Sequence, residues 1–385
     1  MNNISLNSQA IILLTAYFNK GDTPLSIGEY SSFASWLINN NLTPADLLDI
    51  DAKEKISKWS DSKVTKERLI ALLSRGNAMA ISLQKWQNAG IWIITRADED
   101  YPKRLKKHLG QKAPPILYGA GNKKIFNTQG VAIIGSRDAT IEDLKFAFAL
   151  GEKLALNGYS VVSGAARGID EESMLGSISA DGTTIGVAAD DLMQKVLSKK
   201  YREAIMNNNL LLVSPYYPEA KFNAGSAMGR NKLIYTLADS SVVVHSGTTG
   251  GTWEGAKENL KNKWVNLFVK SNSDKDGGNL KLIEMGGLEL NGDLSEIDSF
   301  DFLFENKVEL KQDYVTVSHK SHEEVVMDTI KDSKMTLKEI VEKSSLNEKD
   351  VKNILNKLVV SGDIQKYNNK PLKFSRVRKL PGLME

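Results

Sequence analysis

The chain of 385 residues contains no cysteine. This absence excludes disulfide bonds, zinc–thiolate sites and a cysteine nucleophile, and it is consistent with a reducing compartment such as the cytoplasm. Long apolar runs are also missing: none reaches the roughly 18 residues that a membrane-spanning helix needs, and we read no signal peptide at the start. We therefore expect a cytoplasmic protein that makes no use of a membrane.

Histidine is scarce, and two nucleotide-binding signatures are absent. The four histidines are scattered, and their spacing predicts neither a metal site nor a Ser/His/Asp catalytic set. The GxGxxG fingerprint of dinucleotide-binding proteins and the P-loop of NTPases do not occur. These absences argue against an ordinary NAD enzyme or an NTPase, and we expect no cofactor, no metal and no catalytic residue.

The composition is that of an ordinary soluble protein, with 41% hydrophobic and 25% charged residues. The net charge of +3 is small, but residues 331–379 are clearly basic, with thirteen Lys/Arg against six Asp/Glu. The length predicts two or three domains. We predict a helical, SAM-like domain over residues 1–89, a Rossmann-like domain over 90–306, a linker over 307–318 and a winged-helix domain over 319–385.

Two glycine-containing turns, each with an arginine, follow two apolar runs near the middle of the chain. The first run, Val131–Ile134, stops at a Gly-Ser-Arg turn, and the second, Tyr159–Val162, stops at a Ser-Gly turn after a helical segment. Parallel strands joined by a crossover helix place both turns at the sheet edge where open α/β folds bind ligands. Backbone N–H groups and guanidinium groups there would bind phosphate. The predicted seat consists of Gly135, Ser136, Arg137, Ser163, Gly164, Arg167 and Gly168.

Two further segments are predicted to extend this anion seat. Arg230-Asn231-Lys232 is expected to open a helix that runs to Ala238 and to bring basic groups to the same edge. A strand over 241–245 ends in a small-residue turn, whose Gly247, Thr248 and Thr252 suit phosphate or sugar. Asp170 is expected either to orient Arg167 or to cap the following helix.

Strands alternate with helices from about residue 90 to 269. This pattern predicts an α/β fold, an extended Rossmann-like doubly wound parallel sheet, with one helix over 195–208 and a structured loop region over 271–306. Short helices precede it. Three helices and a two-stranded hairpin across Asn368-Asn369 follow it, which is the winged form of helix-turn-helix. Its lysines are compatible with DNA binding, and protein docking and a merely solvated surface stay open as equal alternatives.

These segments together resemble the DprA/Smf family of DNA-processing proteins. The likeness rests on residues 131–137, 163–170 and 222–231, on the lead-in Tyr101-Pro102, and on the segment 277–283. It implies an extended Rossmann domain that binds single-stranded DNA, forms a homodimer and loads a RecA-type recombinase in DNA recombination or DNA uptake, without catalysis. It also implies that the two Arg turns and Arg230-Asn231 line the DNA-phosphate pocket.

Aromatic and acidic residues near the predicted pocket leave alternatives open. Phe222, Tyr216 and Tyr217 are candidate platforms for base stacking, and core packing is the equal alternative for each. The segment Gly250–Glu254 looks partly like a motif of the phosphoribohydrolases that release cytokinins, and Glu254 would repel phosphate unless it contacts a hydroxyl group or acts on a sugar. The alternatives are therefore a nucleotide N-glycoside hydrolase, and a sensor of a nucleotide-derived ligand in a bacterial defence system.

Overall fold

The computed structural model divides into two compact units, residues 1–305 and 306–385. The predicted boundary at residue 89/90 lies inside the first unit, so that division stays a prediction, and the predicted linker over 307–318 lies outside the described residues. No helix in the described part of the chain has the length and apolarity needed to span a membrane. The structure describes residues 4–19, 21–271, 277–305, 322–330, 334–344, 346–361, 363–367 and 371–376.

In the described part of the chain, five α-helices precede the sheet, and the first and the fifth contact it directly. The hydroxyl of Ser8 lies 2.9 Å from that of Thr95 on the first strand, and the ring of Trp86 meets Tyr118 edge-on at 5.1 Å between centroids. These contacts join the helices and the sheet into one unit. The helices are α1 Leu6–Thr15, α2 Ile27–Asn39, α3 Ala52–Lys55, α4 Lys66–Leu73 and α5 Gly76–Asn88.

A nine-stranded sheet forms the centre of the first unit, in the order β1-β2-β6-β5-β4-β3-β7-β8-β9. Strands β3 to β9 are parallel, as the doubly wound pattern predicts, but β2 pairs antiparallel with both β1 and β6. The prediction of a parallel sheet therefore holds for β3 to β9 and fails at this edge. The segment between β1 and β2, which includes the helix Lys103–Leu109, returns the chain to the end of β1 and places Ile116 opposite Thr95. The strands are β1 Trp92–Thr95, β2 Ile116–Ala120, β3 Gly130–Gly135, β4 Ser160–Ser163, β5 Thr184–Val187, β6 Leu210–Ser214, β7 Ser240–His245, β8 Asn266–Lys270 and β9 Leu288–Leu290.

Helices cover both faces of the sheet and bury β4, β5 and β6 along their whole length. Two of these helices, α7 and α8, approach unusually closely, because a Cβ on Gly151 would lie 2.1 Å from the carbonyl oxygen of Ser173. This packing holds the ends of β3 and β4 together. The helices are α6 Lys103–Leu109, α7 Ile141–Leu156, α8 Ile169–Ser179, α9 Leu192–Leu197, α10 Lys199–Met206, α11 Ala224–Leu237, α12 Gly250–Asn262 and α13 Gly278–Glu284.

Three predicted boundaries are wrong. The helix expected over 195–208 is two helices, because the backbone is extended at Ser198. The helix expected to open at Arg230 begins at Ala224, since the side chain of Asn223 accepts hydrogen bonds from two N–H groups of its first turn and caps it there. The loop region expected over 271–306 contains α13 and β9, and β9 is too short to show a periodic pattern.

The described residues of the second unit form three helices and a three-stranded antiparallel sheet of order β10-β12-β11. The predicted hairpin is confirmed, with Tyr367 opposite Lys373. The two-residue strand β10 was not predicted, and assignment to the winged-helix class stays a prediction. The elements are α14 His322–Thr329, β10 Met335–Thr336, α15 Leu337–Ser344, α16 Glu348–Val360, β11 Ile364–Tyr367 and β12 Lys373–Arg376.

Candidate nucleic-acid interface

The candidate site lies at the carboxyl ends of β4, β3 and β7, where the strand order reverses. Ligands of open α/β sheets bind at such a switch point. The loops after β3 and β4 touch, since a Cβ on Gly168 would lie 3.3 Å from the carbonyl oxygen of Ser136 and 3.4 Å from the Cα of Arg137. The N–H of Ser136 donates to the carbonyl of His245 at 2.9 Å and so connects the loop after β7. The predicted meeting of these turns is confirmed.

Two exposed arginines and an exposed ring lie on the surface of these loops. The guanidinium carbon of Arg137 stands 5.0 Å from the ring centroid of Phe222, whose side chain is 53% exposed. Arg167, on the neighbouring loop, is also exposed. Neither arginine forms an ion pair with a described residue. The pair of Arg137 and Phe222 therefore combines a cation with an aromatic face at one place.

Two other predicted site residues lie below this surface. Ser163 is buried, and its hydroxyl donates to the carbonyl of Ile133 at 2.6 Å. Gly164 has no room for a side chain, because a Cβ there would lie 1.8 Å from Nη1 of Arg230 and 2.2 Å from Oδ2 of Asp170. Both residues support the loop from its buried side, and neither has a side chain on the exposed surface.

A buried ion pair underlies the loop after β4. Nη1 of Arg230 and Oδ2 of Asp170 are 3.9 Å apart, and these residues are 4% and 7% exposed. Burial raises the pKa of Asp170 to about 6, although the charge of Arg230 and the N–H of Gly135 act in the opposite direction. Nε and Nη1 of Arg230 make no hydrogen bond with the described residues.

These contacts correct two predictions about the pair. Arg230 does not open a helix at the surface, since it lies in the interior of α11 with its side chain buried. Asp170 neither orients Arg167 nor caps the next helix, because it is the second residue of α8 and faces Arg230. Arg230 still reaches the predicted sheet edge, but beneath it.

The side chains of Asn231 and Lys232, which follow Arg230 in sequence, project from α11 in other directions. Nδ2 of Asn231 donates to the carbonyl of Gly251 at 3.0 Å, which ties α11 to α12. Lys232 lines a cavity of about 1180 Å³ between α11 and the N-terminal helices, together with Tyr17. Because successive helical residues are rotated by about 100°, one face of α11 cannot present all three side chains. The predicted basic triplet is thus divided among three surroundings.

The loop after β7 is exposed and rigidly supported. Gly247 and Thr248 are exposed, and Thr252 is half-buried in the first turn of α12. Beneath them, the buried side chain of Asn279 accepts from the N–H of Ser246 at 2.8 Å and donates to two strand carbonyls at 2.8 and 2.9 Å. The predicted small-residue turn therefore lies beside the β3 loop with its backbone held in place.

Sequence reasoning missed a charged cluster beside these loops. Nζ of Lys270 lies 2.7 Å from Asp143, and Nδ1 of His245 lies 3.1 Å from it. Burial alone would raise the pKa of Asp143, but hydrogen bonds from Lys270 and Thr140 hold it below its ordinary value. The cluster connects the first turn of α7 to the last residues of β7 and β8. The pattern Thr140-x-x-Asp143, a helix-capping box, is the signal that sequence offered.

The remaining aromatic and acidic candidates are engaged within the protein. The hydroxyl of Tyr216 donates to the carbonyl of Ser226 at 2.9 Å, and Tyr217 packs edge-on against Trp86. Both tyrosines therefore take part in packing, and only Phe222 of the three is exposed. The carboxylate of Glu254 forms an ion pair with Lys257 at 2.9 Å.

The family model for DNA recombination-mediator protein A matches residues 92–297. This chain belongs to the DprA/Smf family. It is 27% identical to the DNA processing protein DprA of Bacillus subtilis over 237 residues, which cover 60% of this chain and 78% of that protein. The protein Smf of Synechocystis is 28% identical over 181 residues, 46% of this chain and 45% of that protein. The X-ray structure of DprA from Streptococcus pneumoniae matches with a TM-score of 0.58 at 19% identity, covering 77% of this chain and 99% of the other, and shows that the fold is shared.

Proposed function

We propose that this DprA/Smf protein binds single-stranded DNA along the strand-end surface, defined as Gly135–Arg137, Arg167–Gly168, Gly247–Thr248 and Phe222. The observation that carries the proposal is the guanidinium of Arg137 over the exposed ring of Phe222, beside the exposed Arg167. Proteins that hold single strands combine cations for the backbone with aromatic faces for the bases. The surface offers both.

The geometry of the surface favours a single strand over a mononucleotide or a duplex. The loops follow three adjacent strands, and neighbouring strands lie about 4.8 Å apart, so the surface extends beyond one phosphate. The exposed ring of Phe222 can stack only on a base whose face is free. Bases of a duplex are stacked on each other, whereas a single strand can turn a base toward the ring.

Arg137 provides the main test of this proposal. We expect Arg137→Ala to weaken binding of an oligonucleotide at least tenfold, because it removes a phosphate contact and the cation beside the stacking ring, each worth about 1 kcal/mol or more. Fluorescence anisotropy across a salt series measures the affinity, which should fall steeply with salt as counterions are released. Arg202→Ala removes another exposed arginine, on α10, and serves as the matched control.

Binding of single strands that is undetectable, or that is independent of salt, would rule out this interface. If the Arg137 and Arg202 variants lose the same affinity for the oligonucleotide, the loss comes from the change in net charge, and the strand-end surface is not the binding site. Phe222→Ala separates the two contributions, since it should weaken binding while leaving the salt slope unchanged.

We also propose that the protein acts without catalysis. Two observations support this: the carboxylate of Glu254 is engaged by Lys257, and that of Asp170 lies buried beneath Gly164. When the protein is incubated with nucleoside monophosphates, chromatography should detect no released free base. Release of base that Glu254→Gln abolishes would instead establish the N-glycoside hydrolase alternative.

Two partners follow from the family resemblance and form part of the same proposal. The chain would act as a homodimer and would deliver the bound strand to a RecA-type recombinase. Sedimentation equilibrium of the full chain tests the dimer, which a monomeric mass at micromolar concentration would exclude. Recombinase assembly on strands coated with a single-strand-binding protein tests the delivery, and it should accelerate only when this chain is added.

A further inference from the structure

A large cavity lies between the N-terminal helices and the sheet. Its volume is about 1180 Å³, and it is enclosed by the end of α1, the start of α2, the residues that lead into β2, the loop after β6 and α11. Cavities that bind small molecules measure roughly 300–1,000 Å³, so this one has room for such a ligand and for water at its mouth. None of its lining residues belongs to the strand-end surface. The cavity is therefore a candidate site of its own.

The wall of this cavity is apolar, aromatic and stiff. Pro114 and Pro115 are buried in it, and the ring of proline fixes the backbone angle φ. The ring of Tyr118 meets Trp86 edge-on at 5.1 Å, and Trp86 in turn meets Tyr217 at 6.1 Å. Because these contacts hold the two tyrosine rings of the wall in place, the cavity offers preformed flat surfaces to an apolar ligand.

One lysine lines this apolar cavity. Lys232 is half-buried, and its Nζ forms no ion pair or hydrogen bond with the described residues. The other charged residue of the lining, Glu219, already pairs with Lys85. A cation that is partly withdrawn from water is stabilised by a counter-charge, so Lys232 favours a negatively charged group beside it.

A smaller polar recess adjoins the cavity at Lys232. Its volume is about 640 Å³, and Ile27, Gly28 and Lys232 line both spaces. The recess adds the exposed residues Ser32 and Lys112, and Lys112 forms no ion pair with the described residues. Gly28 lies in the first turn of α2, where backbone N–H groups favour negative charge. A positively charged recess and an apolar cavity therefore meet at one lysine.

We propose that the protein binds a small amphipathic organic anion here, with a flat apolar body in the cavity and a carboxylate or phosphate group in the recess beside Lys232 and Lys112. The stiff aromatic wall accepts the body, and the lysines select against neutral molecules of the same shape. A DNA strand fits this site poorly, because its phosphates would lie against the apolar wall. The site goes beyond the proposed function and does not depend on it.

Two dyes that differ by one sulfonate group test the proposal on the full chain. Anilinonaphthalene sulfonate carries aromatic rings and an anionic group, whereas phenylnaphthylamine has the same rings without the charge. Both gain fluorescence in apolar surroundings, so titration measures their affinities. We expect Lys232→Met to weaken binding of the sulfonate dye by about tenfold, because a hydrogen bond to a charged group is lost. Binding of the neutral dye should be unchanged, which a purely structural role of Lys232 would not predict.

Gly28→Trp tests whether the dyes occupy the cavity. A Cβ on Gly28 would meet no atom within 4 Å, and the indole ring would fill space that the cavity and the recess share. Both dyes should therefore bind much more weakly to this variant. Gly76→Trp, in the first turn of α5, is the matched control, because a Cβ there also meets no atom within 4 Å and Gly76 lines neither space.

The strand-end surface also combines a cation with a ring, so the dyes are titrated against Arg137→Ala as well. Dye binding should be unchanged in that variant, and oligonucleotide binding should be unchanged in Gly28→Trp, so failure of one site can be told from failure of the other. Circular dichroism verifies that the variants remain folded. The proposal is overturned if the full chain does not bind the sulfonate dye, if Gly28→Trp leaves dye binding intact, or if Lys232→Met weakens both dyes equally.

Discussion

At the scale of single residues, the arginines that look alike in sequence have different roles. Arg137 and Arg167 are exposed on adjoining loops, while Arg230 is buried against Asp170 beneath Gly164. A buried ion pair is weak evidence for stability, because removing two charges from water costs several kcal/mol per ion. The pair packs against the buried side of the loop after β4. Glycine is required at position 164 because the two charged groups occupy the space that a Cβ would fill.

Asp170 should leave a signature in the pH dependence of stability. Burial raises its pKa from 3.8 to about 6 in the folded state, so the folded protein binds this proton at a higher pH than the unfolded chain does. The contribution of Asp170 to the free energy of unfolding therefore increases as pH falls, by roughly 1 kcal/mol between about pH 7 and about pH 5. Urea unfolding at the two pH values measures it.

Asp170→Asn supplies the comparison, because it removes the titrating group at constant size. The difference in stability between the two pH values should be smaller by that amount in the variant. Identical pH dependence in both proteins would mean that Asp170 titrates near its ordinary value, and that its partner compensates for burial.

At the scale of elements, the loop after β7 depends on a helix, α13, that follows the next strand, β8. Asn279 of α13 bonds to Ser246 and to the ends of β7 and β8, and a Cβ on Gly278 would lie 2.2 Å from the carbonyl of Gly247. The sequence Gly278-Asn279 thus combines close backbone approach with a fully paired buried amide. One side chain of α13 positions part of the strand-end surface.

Asn279→Ala should destabilise the first unit by roughly 3 kcal/mol, since it removes two buried hydrogen bonds and one partly buried one and leaves their partners unpaired. Asn262→Ala is the control, because its amide makes a similar bond at 2.8 Å in an exposed position and should cost about 0.5 kcal/mol or less. Chemical denaturation compares the two. A similar small loss in both variants would contradict the role assigned to Asn279.

At the scale of the whole molecule, the second unit has a hydrophobic core of its own. The cluster in the second unit includes Val326, Ile340 and Leu355, and its members come from that unit alone. All six tryptophans belong to the first unit, and they are Trp36, Trp59, Trp86, Trp92, Trp253 and Trp264. Tryptophan fluorescence therefore follows the first unit, whereas far-ultraviolet circular dichroism follows both.

Leu355→Ala should unfold the second unit early, because removing a fully buried leucine costs about 2–5 kcal/mol. Circular dichroism should gain a separate transition at lower temperature, while the transition seen by tryptophan fluorescence stays in place. A fluorescence transition that moves with the circular dichroism would show that the chain unfolds as one cooperative unit.

The amino-acid sequence by itself determined the α/β class, the succession of strands from β1 to β8 and the family, and it brought Arg137, Arg167 and Gly247 to one sheet edge. Apolar runs that end in glycine-rich turns predict the strands and their ends. The crossover connections between parallel strands then bring these ends to the same edge of the sheet. Tertiary structure alone decided that Arg230 is buried, and that Asn231 and Lys232 diverge from it. Burial and direction depend on neighbours far away in the chain, such as Asp170, Gly251 and the N-terminal helices, and no local pattern records them.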